Sequence, residues 1–238
     1  MSDSPPPAPL TLHNVRAGYG RIEVLHGVDV EVKRGTITAL LGSNGAGKTT
    51  TLSVMSGLLA PTSGCRHVAG THCNHADASE LARLGVCHVR EGRSVFPNLT
   101  VADNLTVAAS AGVPVERVTD VAFTIFPRLA ERRDRLAGTL SGGEMQMLAL
   151  ARGLGTDPAV LLIDELSIGL APIIVAELYE VVSEVARSGV SVLIVEQFAT
   201  IGLRYASHVY VLANGLVAYS GSSADAEEAV HTAYFGAA

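Results

Sequence analysis

Gly42-Ser43-Asn44-Gly45-Ala46-Gly47-Lys48-Thr49 sets three glycines, a lysine and a hydroxyl in the G-x-x-x-x-G-K-[ST] spacing, whose chemistry is phosphate binding. A nucleoside triphosphate carries dense negative charge, so its site needs many donors packed closely with no bulky side chains between them. The glycines let the backbone turn its N–H groups inward, and a helix beginning at about Gly47 aims its positive end at the same point. Lys48 adds a mobile cation for the β- and γ-phosphates, Thr49 a hydroxyl for Mg²⁺, and Thr50 a donor to a phosphate oxygen. A plain glycine turn between strand and helix is the alternative; the complete pattern behind an apolar strand argues against it.

Two further groups extend this chemistry. Val160-Leu161-Leu162-Ile163-Asp164-Glu165 is an apolar strand that delivers two carboxylates to its C-terminal edge. Asp164 suits the Mg²⁺ shell, and Glu165 is placed to accept a proton from an attacking water or to polarise it. Leu140-Ser141-Gly142-Gly143-Glu144 opens a helix through Met147, Leu148, Ala151 and Leu154, a second anion-binding helix terminus with two glycines for close approach.

The elements that must position these groups follow from periodicity. Leu10 to Val15 and Val28 to Val32 alternate as half-buried antiparallel strands do, with turn signals at Gly18, Gly20 and Gly27. Thr36 to Leu41 is an apolar strand feeding the glycine loop, and the helix after the loop ends between Gly57 and Pro61. From about Val101 to Leu136 the pattern is helical. Strand Val160 to Ile163, helix Ile173 to Ala186, strand Val190 to Val195, helix Ala199 to Ala206 and strand Val209 to Leu212 then alternate, which predicts a mostly parallel sheet covered on both faces. The α/β chain divides into a Pro-rich tail (1–9), an antiparallel β subdomain with the glycine-loop part of the core (10–90), an inserted helical subdomain (91–157), and the rest of the core with a C-terminal helix (158–238).

Composition sets the class. The 238 residues are 48% apolar, yet no uninterrupted apolar run reaches the ~18 residues of a membrane span. The Pro-rich start lacks a signal-like basic and apolar stretch, so a cytosolic location is expected. Cys65, Cys73 and Cys87 form no disulfide framework. Net charge is −6 with no basic stripe, which leaves a nucleic-acid partner little electrostatic support.

In this order, glycine loop, Leu140-Ser141-Gly142-Gly143-Glu144 and Val160 to Glu165 resemble the ATPase subunit of an ABC transporter. The resemblance implies a P-loop, RecA-like ATP-binding domain with an antiparallel β subdomain and an inserted helical subdomain, using ATP and Mg²⁺. It implies that Tyr19 stacks on adenine, and that Ser141, Gly142 and Gly143 close over the γ-phosphate held by a second subunit. A dimer with two ATP molecules at its interface is therefore expected. Where most members carry a Gln that ligates Mg²⁺, this chain has Glu91, and where most carry a His near the γ-phosphate it has Gln197. Those replacements, with Glu91-Gly92-Arg93, Phe126-Pro127-Arg128-Leu129, Ser167 to Val175 and the tail Ala229 to Tyr234, look like the LivF-type ATPase of branched-chain amino-acid importers. The implied partners are a LivG-like cassette or a second copy, two membrane permease subunits and, indirectly, an extracytoplasmic solute-binding protein. The implied place is the inner face of the cell membrane.

The departures have consequences. Glu91 keeps a metal ligand and adds negative charge, whereas Gln197 keeps a donor but takes up no proton, so its role is positioning. Ala171 stands where many members have an Asp that crosses the dimer interface, and Leu166, Phe198 and Met145 replace a usual Pro, Asn and Gln. An ATP-gated clamp without hydrolysis and a urea or short-amide importer remain competing readings. Cys65, His67, His72, Cys73 and His75 have the residue types of a zinc site but match no common zinc spacing, so a solvated hairpin is expected there. Coupling to a permease is expected to use an exposed apolar patch between Gly92 and Leu105.

Overall fold

The computed structural model describes residues 8–92, 94–110 and 112–235. Most of the expected Pro-rich tail lies outside them, as does Arg93. Pro9 is placed, with its carbonyl accepting from Ala69 N at 3.0 Å.

Two sheets organise the chain. β1 (Leu10–Tyr19) and β2 (Ile22–Val32) form a long antiparallel hairpin, and β1 also pairs with β4 (Ser63–Val68), which pairs with β5 (Thr71–His72). The hairpin is longer than expected because only Gly20 turns the chain. Gly18 lies inside β1 at a register shift, where an added Cβ would sit 2.0 Å from the Ile22 carbonyl oxygen. Gly27 is likewise inside β2.

The second sheet has the order β10-β9-β3-β8-β7-β6, built from β3 (Ile37–Leu41), β6 (Val86–Val89), β7 (Val160–Asp164), β8 (Ser191–Glu196), β9 (His208–Ala213) and β10 (Leu216–Ser222). All its pairings are parallel except that of the edge strand β10. Alternate residues of the central strands serve two cores. Leu161, Ile163, Val192 and Ile194 face the helical side, and Leu40, Leu162, Leu193 and Val195 face the antiparallel sheet. Burial on both faces is why these strands read as unbroken apolar runs.

α1 (Lys48–Met55) follows β3 directly, and its chain leaves the helix through Gly57 at φ 76°, as a glycine C-terminal cap does. α2 (Ala78–Arg83) precedes β6. The helical region comprises α3 (Val101–Ala109), α4 (Val115–Ile125), α5 (Pro127–Glu131) and α6 (Gly142–Leu154). α7 (Pro172–Arg187), α8 (Ala199–Tyr205) and α9 (Glu227–Phe235) complete the core. α2, α3 and α6 each start with a reciprocal capping box, Asp77 with Glu80, Thr100 with Asp103 and Ser141 with Glu144. Among the described residues no helix is long and apolar enough to cross a membrane.

His88 on β6 borders a cavity of about 270 Å³ between the end of α1, α2 and β6, and both of its ring nitrogens are buried without a hydrogen-bond partner. Burial, with Arg90 adding like charge, pushes its pKa down to about 4. The unfolded chain therefore takes up this proton first. Stability is intact above about pH 6.5 and falls by up to ~3 kcal/mol as pH drops to about 4. Urea unfolding at pH 7 and pH 4.5 checks this: His88→Leu is expected to lose less stability across the interval than the parent chain, and parallel losses would exclude His88 as the group responsible.

Candidate functional site

The glycine loop lies between β3 and α1, at the C-terminal edge of the parallel sheet. Gly42 approaches the neighbouring backbone so closely that an added Cβ would meet Leu212 O at 2.5 Å, and Gly47 enters α1 at φ 107°. Both positions require glycine, and between them the loop leads from β3 into the N-terminus of α1, with Ala46 N donating to Ser43 O at 3.2 Å. Lys48 is only 6% exposed, and its Nζ donates to Gly42 O at 2.8 Å and Ser43 O at 3.2 Å. These carbonyls hold the ammonium over the loop. Thr50 is buried beside it, whereas the Thr49 side of α1 is exposed.

Asp164 ends β7, and Glu165 follows it in a left-handed conformation, φ 47°, with its N–H donating to Val195 O at 2.9 Å. That conformation is uncommon for a non-glycine residue and costs of order 1 kcal/mol, so the surrounding contacts must impose it. Leu166 supplies one of them: it leaves φ unlocked where a proline would fix it, but its side chain is 1% exposed and anchored in the core.

The electrostatics tie these groups together. Burial, followed by Glu165 and then Glu91, raises the Asp164 pKa to about 6 against the opposing Lys48 and Arg90. Glu165 is raised by burial and by Glu91 and lowered by Lys48. Lys48 is lowered by burial, against the pull of Glu165, Asp164 and Glu196. Glu91 and Lys48, separated in sequence, thus both act on Asp164 and Glu165 at the C-terminal edge of the parallel sheet.

Gln197 follows β8, and its carbonyl accepts from the Tyr234 hydroxyl at 3.0 Å, while the same phenol oxygen accepts from Gly42 N at 3.1 Å. Tyr234 on α9 therefore bridges the first loop glycine to Gln197. Tyr19 closes β1 and is 53% exposed, free to present its ring.

Ser141, Gly142 and Gly143 stand apart from this pocket. They line a separate opening of about 350 Å³ with Gly169, Leu170 and Ala171, and no residue of the glycine loop borders it. The Ser141 hydroxyl accepts from Glu144 N and donates to the Glu144 carboxylate, while Arg132 reaches Glu144 at 3.3 Å. Between Gly92 and Leu105, Phe96 is 46% exposed with the Arg152 guanidinium 4.8 Å from its ring, whereas Val95 packs against the core. Phe198 is 54% exposed ahead of α8, and Met145 borders a cavity with Gly142 and Gln146; nothing in the structure explains why these two replace Asn and Gln.

The hairpin at 63–76 is exposed at His72 and His75, as a solvated turn is, but buried at Cys73. Arg66 is fully buried and Cys73 is 9% exposed, because carbonyls of that turn converge on the guanidinium. His67 lies edge-on to His13 and His72. Sequence reading also missed Glu196 and Tyr234. For Glu196 the signal was present, an apolar strand ending in an acid, the same signal that marks Asp164. For Tyr234, 192 residues from Gly42, no local signal exists.

Comparison with known proteins agrees with this geometry. The family described as ABC transporter matches residues 25–167. The high-affinity branched-chain amino acid transport ATP-binding protein BraG of Pseudomonas aeruginosa is 40% identical over 95% of this chain and 99% of its own length. A probable branched-chain amino acid transport ATP-binding protein LivF of Archaeoglobus fulgidus is 35% identical over 88% of this chain and 90% of its own. A solved ATP-binding cassette of an ABC transporter in its ADP conformation superposes with a TM-score of 0.81 at 28% identity, covering 94% of this chain and 93% of that one.

Proposed function

The chain belongs to the ABC transporter family as an ATP-binding cassette, and from that premise we propose that it binds and hydrolyses MgATP to drive import of branched-chain or other hydrophobic amino acids. The observation that carries the chemistry is that parallel strands of one sheet end at one edge, β3 in the glycine loop with Lys48, β7 in Asp164 and Glu165, and β6 two residues before Glu91. The substrate class rests on the relatives, BraG above all, which the chain matches nearly end to end.

Burial first, and then the like charges of Glu165 and Glu91, raise Asp164 to about 6, which is the behaviour of a site that favours a divalent cation. Asp164, Glu91 and the Thr49 hydroxyl are oxygen donors of the kind Mg²⁺ takes. When bound, Mg²⁺ neutralises charge on the β- and γ-phosphates. The loop N–H groups and Lys48 hold the phosphates, Lys48 leaving the Gly42 and Ser43 carbonyls to do so. Glu165 accepts the proton of the attacking water or polarises it, and Gln197 orients the γ-phosphate without exchanging a proton. Tyr19 stacks on the adenine. Ser141, Gly142 and Gly143, which lie apart from this chain's own loop, close over the nucleotide of a second cassette, either LivG-like or another copy. Two permease subunits would dock on the surface around Phe96 and hold the chain at the inner face of the membrane, where a solute-binding protein feeds them from outside.

Steady-state hydrolysis tests this reading. Turnover is expected to rise more than linearly with protein concentration, or to appear on addition of a LivG-like cassette, and leucine uptake is expected in vesicles carrying the permease and binding protein. Turnover per chain that is independent of concentration and partner would exclude the shared site. Tight MgATP binding with no turnover in any assembly would instead favour the clamp reading, which Gln197 and Ala171 support.

A further inference from the structure

Glu196 ends β8 with no exposed surface, one residue before Gln197. Its carboxylate accepts three hydrogen bonds: from the Ser167 hydroxyl at 2.7 Å, from Ser167 N at 3.3 Å and from the Tyr179 hydroxyl. Tyr179 is itself fully buried on α7 and stacks on Tyr205, with ring centroids 4.7 Å apart. Ser167 belongs to the segment that leaves Glu165 and reaches Ala171, and it is 6% exposed. This segment is thus fastened to β8 at two successive places, Glu165 N on Val195 O and Ser167 on Glu196.

We infer that Glu196 is a positioning residue that sets the Glu165 to Ala171 segment, and with it the Glu165 carboxylate, against the strand end carrying Gln197. Removing a carboxylate from water costs several kcal/mol, and an apolar residue of similar volume commonly serves stability as well or better. What an apolar residue cannot supply is an acceptor for two donors of one serine. Those bonds fix the left-handed turn at Glu165 from one side while buried Leu166 fixes it from within the core. Misplacing a reacting group by about 1 Å can cost ~10²-fold in rate, so a small shift of this segment acts on turnover more than on nucleotide affinity. Lys48 makes its hydrogen bonds to Gly42 O and Ser43 O and not to Glu196, whose charge is the smallest of the three that act on it.

The inference rests on the ATPase reading, and the test separates the two. Glu196→Gln, Ser167→Ala and the double variant are assayed for MgATP binding and turnover in the assembled cassette dimer, with rates expressed per nucleotide-binding site. Each single variant is expected to lower kcat by about tenfold or more with KM for ATP changed less than about twofold, and the double variant to fall no further than the worse single one. A purely structural role would reduce the number of binding sites and the melting temperature while leaving kcat per site intact, and that result overturns the inference. Multiplicative losses in the double variant overturn it too. Unsubstituted dimer that binds MgATP without turnover overturns the ATPase reading, and the inference with it.

Discussion

Glu165→Gln lowers ATP turnover by at least ~10²-fold while MgATP binding stays at its original strength or tightens. The amide keeps the volume and one acceptor of the carboxylate but accepts no proton from water. Its effect on binding follows from charge. Glu165 is the largest like-charge contributor to the raised pKa of Asp164, so the substitution relieves repulsion inside the metal-facing cluster. Asp164 then ionises more readily, and the pocket holds the metal and its nucleotide at least as well. Lys48→Ala has the opposite signature, because it removes the cation proposed to hold the phosphates and leaves Asp164 and Glu165 with less compensation. Equilibrium binding of a fluorescent ATP analogue with Mg²⁺, measured beside single-turnover hydrolysis, distinguishes the two variants. Undiminished turnover in Glu165→Gln would remove Glu165 from the chemistry.

Most of that pocket was legible in the sequence, for a physical reason. Phosphate binding by backbone needs glycines at fixed intervals, and two acids closing an otherwise unbroken apolar strand stand out against their neighbours, so Gly42 to Thr49 and Asp164-Glu165 announce themselves locally. The parallel sheet was legible for the same reason, through the apolar runs of β7, β8 and, with Thr38 as its one polar residue, β3. What stayed hidden depends on contacts between distant segments. Gly18 and Gly27 read as turns because glycine has two uses, and only the facing Ile22 carbonyl shows that Gly18 serves close strand approach. Tyr234 on Gly42 and Gln197, and Ser167 on Glu196, join segments whose meeting is a product of the whole sheet order. The separation of Ser141 to Gly143 from the chain's own glycine loop was expected from family resemblance and not from spacing.

Arg66 is the clearest case of a residue whose importance the fold alone reveals, and Arg66→Leu is expected to be strongly destabilising. A lone arginine in a short polar hairpin ordinarily extends to water, its stem lying along the surface. Here the side chain has no exposed area and carries its charge inward. Its guanidinium donates to Val54 O, to Cys73 O and, at 2.6 Å, to Ala76 O, while its backbone N donates to Asn74 Oδ1, also at 2.6 Å. Val54 lies in the last turn of α1, so the charge sits at the negative end of the helix that the glycine loop opens. Carbonyl dipoles from three directions, and no carboxylate among the described residues' ion pairs, balance it. Leucine fills much of the space but leaves those carbonyls buried without donors, which costs about 3–5 kcal/mol. Lysine restores the charge as a point, which cannot serve the diverging carbonyls of a planar fork, and recovers only part of the loss. For a chain of this size the leucine variant should melt about 10 °C or more below the parent, with the lysine variant between them. Thermal unfolding of the three proteins at one pH checks the order. A leucine variant within about 1 kcal/mol of the parent would mean that the turn rearranges to feed its carbonyls from elsewhere, and that α1 needs no cation at its C-terminal end.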